Sequence, residues 1–577
     1  MAGSPYTIRP IPDSDVLDEK NLHPVSRRIL AARNVQTMAE TDYRLRKLLP
    51  PDAIRHLAAA AELLTNYISQ NRSILIFGDY DVDGATSTAL CMRALALMGF
   101  HNAIYLMPDR FIDGYGLSTS VARRIVELGP DCVITVDNGI ASHDGIAMLR
   151  EQNIDVVVTD HHLPASELPD ASVIVNQNAW PDETQGKNLA GVAVAFYLML
   201  ALRKSLRDLG WFKQQRVEPE LSCCLDLVAI GTVADLVPLD YNNRVLVNEG
   251  LRRIRKGLCV AGVRALIEIA KKQVAHLSSA DIGFAIAPRI NAAGRLDDMT
   301  TGVQCLLTDD ETLARGLAAR LDEINRKRRE IQQQMADEAQ QQIAGLNDQD
   351  LNDSYGIVLY QEGWHEGIVG IVAAKIREKY HRPSIVFASS DEGILKGSGR
   401  SLAGIHLRDM LDGVDKRYPG MILKFGGHAM AAGLSLRETS LDQFRGAFDR
   451  VVGELADPAF FSPLKECDGE LEHQYLRLDF ALELDNLGPW GQRFPVPSFV
   501  GEFEVLGQRV LSGQHLKLVV RPINSPDESK TMLDAIAFFQ PRTILDKSFD
   551  RIHIHYELNA NRFRGEESLQ LLIRDIF

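Results

Sequence analysis

The sequence has no C-x-x-C pair. Its seven cysteines are scattered over 577 residues, with only Cys223 and Cys224 adjacent. Neither a zinc ribbon nor a disulfide framework is indicated, and a reducing cytoplasm is the compartment that fits. Long apolar runs are missing too. The nearest approach, residues 192–202, runs straight into Arg203 and Lys204 and reads as a buried helix face rather than a membrane span. The opening MAGSPYTIRP lacks a basic segment followed by an apolar one, which argues against a signal peptide. No G-x-x-x-x-G-K-[ST] and no G-x-S-x-G occurs, which excludes P-loop and nucleophile-elbow chemistry. His365-Glu366 opens like a zincin helix, but residue 369 is Val, so the second zinc-binding His is missing. Positive charge is also short. A formal net charge of −14 weighs against coating duplex DNA non-specifically, though not against a local basic groove.

What is present is a set of apolar runs that end on acidic or imidazole side chains. ILIFGDYDVDG ends on Asp79, Asp81 and Asp83, VITVDNG on Asp137, VVVTDHH on Asp160, His161 and His162, and LVAIGTVAD on Asp235. The first three read as β-strands, each followed by a stretch of helical spacing. That alternation predicts a parallel α/β sheet, and such sheets bind ligands beyond the carboxyl ends of their strands. Carboxylates and imidazoles delivered to one edge point to a polynuclear metal site, and from there to metal-assisted phosphoester hydrolysis.

Three or four domains are expected at this length. Residues 1–70 form a mixed, partly helical lead-in, residues 73–180 carry the strand–helix alternation, and residues 188–300 are mainly helical by spacing. Residues 309–345 have no Pro and are rich in Ala, Leu, Glu, Gln and Arg, which predicts one long helix joining two bodies. The cluster Arg326, Lys327, Arg328, Arg329 within it reads as a solvated face. From Tyr355 a second α/β pattern begins, with strand GIVLY, helix IVGIVAAKIREKY and strand SIVFA. Beyond about residue 466, FEVLGQRVL, LKLVVRP, MLDAIAFF, RIHIHYEL and LQLLIRDIF predict five strands of a small barrel. An OB-type barrel is the natural choice, because that fold carries single-stranded nucleic acid.

The spacing of Asp79, Asp81, Asp83 and Gly84 also opens a calcium EF-hand loop. Position twelve of that loop is Leu90 instead of Glu, and a strand rather than a helix precedes it, so the calcium reading fails. One Asp could simply cap the next helix, but three on alternate positions exceed what a cap needs. Asp137-Asn138-Gly139 is ordinary turn chemistry taken alone, and gains weight from ending a strand of the same sheet. In Asp160-His161-His162, neighbouring side chains of an extended segment diverge. One His is therefore expected as ligand and the other facing substrate, with Asp160 as ligand or orienter. A hydrogen-bonded structural role for His162 is an equal alternative. Asp226 competes with Asp235 for the fourth position. Downstream, residues 289–295, 396–401 and 426–433 each join Gly to cationic or hydrogen-bonding side chains. Each could be a tight turn, but three in one chain favour phosphate binding.

Together, GDYDVDGATST, VDNG, DHH, GTVAD and GGHAMAAG resemble the motifs of the DHH/DHHA1 phosphoesterase superfamily. RINAAGR, KGSGRS, the length and the barrel-like C-terminal region resemble its RecJ branch, from about residue 40 onward. The resemblance implies an α/β protein in five parts: a lead-in (1–70), a parallel-sheet DHH catalytic domain with a helical part (71–305), a connecting helix (306–350), a DHHA1 substrate-binding domain (351–460) and an OB-like nucleic-acid-binding domain (461–577). It implies a single-strand-specific 5′→3′ DNA exonuclease of repair and recombination, with two ions of Mn²⁺ or Mg²⁺. Hard oxygen ligands mixed with imidazole suit Mn²⁺ somewhat better. Asp79, Asp81, Asp83, Asp137, His161 and Asp235 are the implied metal ligands, and the last five with His162 the implied catalytic residues. Arg289, Asn291, Arg295, Ser398, Arg400, Gly426, Gly427 and His428 are implied to bind substrate. Many smaller members carry a His four residues before the Asp that matches Asp81, where this chain has Phe77. Single-stranded DNA is the implied substrate, single-strand-binding protein and a helicase the implied partners, with no membrane involved. Two alternatives remain. A nanoRNase or cyclic-dinucleotide hydrolase of the same superfamily would generally be shorter and lack the barrel. A catalytically silent Cdc45-like replication scaffold would lose motif residues that are filled here.

Overall fold

The computed structural model describes residues 6–12, 22–213, 216–345, 354–390, 393–461, 465–523, 532–563 and 565–577. It divides into two units, one of residues 1–291, 299–319 and 465–577, the other of residues 292–298 and 320–464. In the first unit, β1 (Tyr6–Ile8) and α1 (Pro24–Ala31) precede α2 (Leu57–Ser69) and the sheet strands β2 (Ile74–Phe77), β3 (Ala103–Leu106), β4 (Cys132–Val136), β5 (Asp155–Thr159) and β6 (Val173–Val175). The sheet is wholly parallel, in the order β3-β2-β4-β5-β6. β2, β4 and β5 are apolar because helices cover both faces. Crossover helices α3 (Val82–Leu97), α4 (Thr119–Leu128) and α5 (His143–Glu151) connect successive strands. Leu75, Phe77, Val133 and Val156 pack on one side against Val121 and Ile125 of α4 and Ile146 and Leu149 of α5. α2, α3 and α6 (Gly191–Leu209) cover the other side. The chain leaves β2 toward β3 on one side and returns to β4 on the other. A crevice opens where the two connections diverge, at the carboxyl ends of β2 and β4.

α7 (Leu225–Ala234) is buried from Leu225 through Thr232 and apolar on all sides, as befits a helix inside the core. LVAIGTVAD is thus helical, as expected of the stretch 188–300, and Asp235 caps the helix C-terminus. α8 (Tyr241–Arg255) and α9 (Ala261–Ile269) follow. Residues 289–295 lie within helix Ala287–Leu296, which continues from a π-helical turn at Ile282–Ile286. The stretch is therefore helix rather than the tight turn of its alternative reading.

The second unit holds β7 (Ile357–Tyr360), β8 (Ser384–Ser389), β9 (Ile394–Arg400), β10 (Ile422–Gly427) and β11 (Ala431–Arg437), in the order β10-β11-β9-β8-β7. Only β7 and β8 run parallel. Phe387, Leu411, Phe444 and Phe448 fill one side of the sheet. Val386 and Ala388 pack with Ile368, Val372 and Ile376, and with Met335, Ala339 and Ile343 of the long helix Glu311–Ala344. Arg326, Lys327 and Arg329 are exposed on that helix and Arg328 is half-buried. No helix among the described residues is long and apolar enough to cross a membrane.

β12 (Lys465–Cys467) returns to the first unit and pairs in parallel with β1. The five strands β13 (Phe499–Leu511), β14 (His515–Pro522), β15 (Leu533–Ala537), β16 (Arg551–Phe563) and β17 (Glu566–Ile576) close into a barrel in the order β13-β14-β15-β17-β16. Its core joins Phe499, Phe503, Leu518, Ile554, Tyr556 and Leu571 with Val25 and Ile29 of α1. The N-terminal segment is therefore part of the barrel's wall, which its composition did not reveal. Arg33, just after α1, fixes this junction. Its guanidinium meets both oxygens of Asp468 at 2.8 and 2.9 Å and donates to the Ile29 and Pro495 carbonyls, while Asp468 also accepts the Ser498 N–H. Both side chains are almost wholly buried, at 1% and 2% exposure. Asp468→Ala, which strands that guanidinium, is expected to destabilise the protein by about 3–5 kcal/mol, read from the midpoint of urea unfolding.

Candidate metal centre

Three polar loops leave the sheet at the crevice. After β2, Asp79 takes the N–H of Tyr80 at 2.7 Å, and Asp81 caps α3 by accepting the N–H of Gly84 at 3.1 Å. Residue 84 must be glycine, because a Cβ there would sit 2.4 Å from the Asp79 carbonyl oxygen. Asp83 points from the first turn of α3 to the start of α6, where its two oxygens accept Gly191 N–H at 2.6 Å and Val192 N–H at 2.9 Å. After β4, Asp137 adopts a left-handed backbone, φ +63°, held by its own N–H to the Thr159 carbonyl. After β5, Asp160 turns inward and accepts the N–H groups of Ile140, His161 and His162 together with Nδ1 of His162. Asp160 is thus an orienter, which leaves His161 to face the carboxylates. His161 Nε2 lies 3.1 Å from Asp137, 3.5 Å from Asp235 and 3.9 Å from Asp83. His162 faces the Tyr115 hydroxyl at 3.2 Å.

Asp79, Asp81, Asp83, Asp137, His161, His162 and Asp235 are thus brought together. Three sets of their ligand atoms, Asp79/Asp81/Asp137, Asp83/His161/Asp235 and Asp137/His161/His162, each fall within a 4.8 Å span. Asp226 is elsewhere: it is buried and its oxygens take the N–H groups of Leu227 and Val260, which ties α7 to the start of α9. Phe77 is fully buried in the core beneath the sheet and offers the site nothing.

A cation fits the electrostatics. Burial first, and the charge of Asp81 second, push the Asp79 carboxyl up to about 8 and that of Asp83 to about 7. Asp137 and Asp235 are raised well above the carboxylate range by burial and then by Asp83 and Asp81. Burial and the neighbouring His162 drive His161 down to about 4, so its imidazole is neutral and its ring nitrogen free to be a ligand. Asp137 Oδ1 and His161 Nε2 are buried with no hydrogen-bond partner. Two electron-pair donors without a hydrogen-bond partner, facing each other across 3.1 Å, are an arrangement that a metal ion satisfies. His162 behaves oppositely. Burial lowers it, but the Asp160 hydrogen bond and charge outweigh that and raise it to about 9.

The downstream residues fall in two places. In the first unit, Asn291 accepts the Val82 N–H at 3.1 Å, bracing the Asp81–Asp83 turn, and Arg289 donates to the Ala285 carbonyl. In the second unit, Arg295 donates to the Gly367 carbonyl. Ser398 and Arg400 lie on β9 and bond to each other. Arg400 pairs in register with Ala431, whose carbonyl accepts the His428 N–H. Arg400 and His428 therefore share one end of that sheet, with Gly426 and Gly427 in the adjoining hairpin strand. Residues 396–400 lie on β9, and residues 426–433 span the hairpin between β10 and β11. Sequence reasoning missed Asn176 and Asn178, whose amides hold the carbonyls of His162 and His161 at 2.8 and 2.6 Å. Their signal was available, since NQN follows the apolar run of β6. It also missed Tyr115 and the α6 N-terminus.

Three family models match the chain: DHH family, N-terminal domain, at residues 73–232, DHHA1 domain at 353–454 and RecJ OB domain at 467–575. The chain is 47% identical over 572 residues to the single-stranded-DNA-specific exonuclease RecJ of Dickeya dadantii, covering 99% of this chain and 98% of that protein. It is 45% identical over 558 residues to the protein of that name from Escherichia coli, covering 96% of each. Among solved structures, RecJ in complex with Mn²⁺ from Thermus thermophilus matches with a TM-score of 0.78 at 29% identity, covering 96% of this chain and 76% of that one. The complex with Mg²⁺ from the same organism matches at 0.73 and 27%, covering 96% and 74%.

The raised carboxyls give the metal-free protein a pH signature. Above the ordinary Asp value of about 3.9 the unfolded chain has released protons that folded Asp79 and Asp83 keep up to about 8 and 7. His162 acts in the same sense, keeping its proton to about 9. The folded state therefore binds more protons, and stability falls as pH rises. His161, shifted down to about 4, opposes this only below its ordinary value near 6.5. EDTA-treated protein is expected to lose Tm steadily between about pH 6.5 and 8.5, and excess Mn²⁺ to restore it most at the upper end, followed by scanning calorimetry.

Proposed function

The chain belongs to the RecJ family of single-stranded-DNA-specific exonucleases, and we propose that it degrades single-stranded DNA from the 5′ end toward the 3′ end by hydrolysis at a centre of two divalent ions. The observation that supports this most directly is the pair of ligand sets, Asp79/Asp81/Asp137 and Asp83/His161/Asp235. Each would hold one ion, with Asp137 close enough to His161, at 3.1 Å, to serve both. Bound ions of this kind lower the pKa of a coordinated water and offset charge on phosphoryl oxygens. The rest is done by the chain itself. Asp160 fixes His162 in orientation and keeps it protonated near neutral pH, so that its ring can offer a proton and positive charge to a phosphate oxygen. Asn178 and Asn176 hold the backbone of both histidines. Burial of Asp83, Asp137 and Asp160 keeps bulk water from screening these charges.

Arg295, Ser398, Arg400 and His428, with Gly426 and Gly427, are the proposed contacts to substrate phosphates, and the closed barrel the proposed holder of the trailing strand by backbone contacts and stacking. The role follows as DNA repair and recombination in the cytoplasm, alongside single-strand-binding protein and a helicase. A silent scaffold is disfavoured because the expected acidic and His positions are filled apart from the one at Phe77, and a small nanoRNase-like enzyme because the barrel is present.

End-labelled single and double strands, offered at both polarities with Mn²⁺ or EDTA, test the reading. Loss of a 5′-terminal label as mononucleotide from single strands, only with metal, is expected, and digestion from the 3′ end or in EDTA overturns it. Asp235→Asn is the cleanest ligand variant, because Asp83 also caps α6 and its loss would disturb the fold. Asn178→Ala is expected to lower activity roughly 10–100-fold as a supporting residue, and Asp235→Asn to lower it further.

A further inference from the structure

A cavity of about 300 Å³ opens beside the turn Leu221–Cys224 that leads into α7, and none of its residues belongs to the metal centre. Arg93, Arg253, Arg264, Cys223 and Cys259 line it. Arg93 is engaged by Asp309 at 2.8 Å and Arg264 by Glu311 at 2.7 Å. Arg253 is different: its Nε is buried and has no hydrogen-bond partner. The nearby Asp226 carboxylate is already taken up by two backbone N–H groups. The cavity thus holds one buried guanidinium nitrogen without a hydrogen-bond partner next to a half-buried thiol, with Asp309 and Glu311 sharing the lining.

That thiol is unlike the chain's other six. The contact with Cys224, Sγ to Sγ 3.8 Å, brings Cys223 down to about 7 against the effect of burial, with help from the charges of Arg253 and Arg93. Burial and its neighbour hold Cys224 well above the usual thiol range, and burial lifts Cys259 to about 11. Cys91, Cys132, Cys305 and Cys467 are buried. Thiols that react with disulfides are partly exposed and sit among positive charges. Cys223 and Cys259 both meet these conditions, and of the two only Cys223 is brought down.

We propose that Cys223 is a modification site for a small disulfide bearing carboxylates, of the oxidised glutathione class, whose acid groups are held by the arginines of the cavity. The Cys223 thiolate attacks one sulfur of the reagent. The reagent's S–S bond breaks, a mixed disulfide forms on Cys223, and the other half leaves as a thiolate that takes a proton from solvent. Cys223 is oxidised and the reagent reduced, so no further oxidant is needed, and excess thiol reverses the step.

The test exposes reduced full-length protein to oxidised glutathione, neutral 2-hydroxyethyl disulfide and cationic cystamine. Adducts are followed by intact mass and peptide mapping, and each rate is divided by that reagent's rate with a small reference thiol. The first adduct is expected on Cys223, with a normalised rate for glutathione disulfide about tenfold or more above that for cystamine at low salt. That ratio falls toward one as ionic strength rises and in Arg253→Gln. The salt series needs no variant and stands even if the substitution misfolds. A first adduct on another cysteine, equal normalised rates, or an internal Cys223–Cys224 disulfide in place of an adduct would overturn the proposal.

Discussion

The mutual repulsion of five carboxylates in one crevice, Asp79, Asp81, Asp83, Asp137 and Asp235, is the constraint around which the first unit is built. Like charges brought this close and this deep cannot all stay ionised without compensation. The fold supplies part of it through backbone N–H groups: Tyr80 to Asp79, Gly84 to Asp81, and the first turn of α6 to Asp83. That last contact sets a carboxylate on a helix N-terminus, where the partial positive charge of the peptide dipoles favours it. What remains is left for a cation, and the unpaired Asp137 oxygen and His161 nitrogen mark where it belongs.

Close approach is what makes the cluster possible. α6 comes so near β4 that a Cβ on residue 191 would lie 2.5 Å from the Asp137 Cβ, so only glycine allows the helix to present its N–H groups to Asp83. Asp137 itself is held at positive φ, a conformation that costs a non-glycine residue roughly 1–2 kcal/mol. Its N–H bond to Thr159, and Asn138 donating to the Phe77 and Val136 carbonyls, hold it there. Leu236, next to Asp235, is likewise held at positive φ, +60°.

Most of the sheet was legible because its strands are buried on both faces, and such strands write themselves as unbroken apolar runs bounded by polar turns. The sites at their ends were legible for the same reason: ILIF, VITV and VVVT stop where the side chains must meet water or metal. Asp235 was legible as a candidate within a stretch that reads as mainly helical, though an apolar segment buried on all sides carries little period by which to place the helix end. Asn291 was read as a substrate contact, and its side-chain oxygen takes the Val82 N–H, a contact across 209 residues of chain that no local pattern encodes. The attachment of α1 to the barrel was hidden likewise, because Val25 and Ile29 look like any short amphipathic helix until their partners are known. The thiol of Cys223 was visible only as half of an adjacent pair, since its neighbours Arg93 and Arg253 come from distant helices.

The pairing of β1 with β12, and of α1 with the barrel, has a consequence for how the molecule is made. Tyr6 donates to Asp575, 569 residues away. Synthesis delivers α1 well before the barrel strands it packs against. The sheet and its helices can assemble on the way, but α1 must wait, with Ile29 unburied, until those strands have emerged. A chain cut short before the barrel would carry the acidic crevice together with an open seam and an exposed apolar helix.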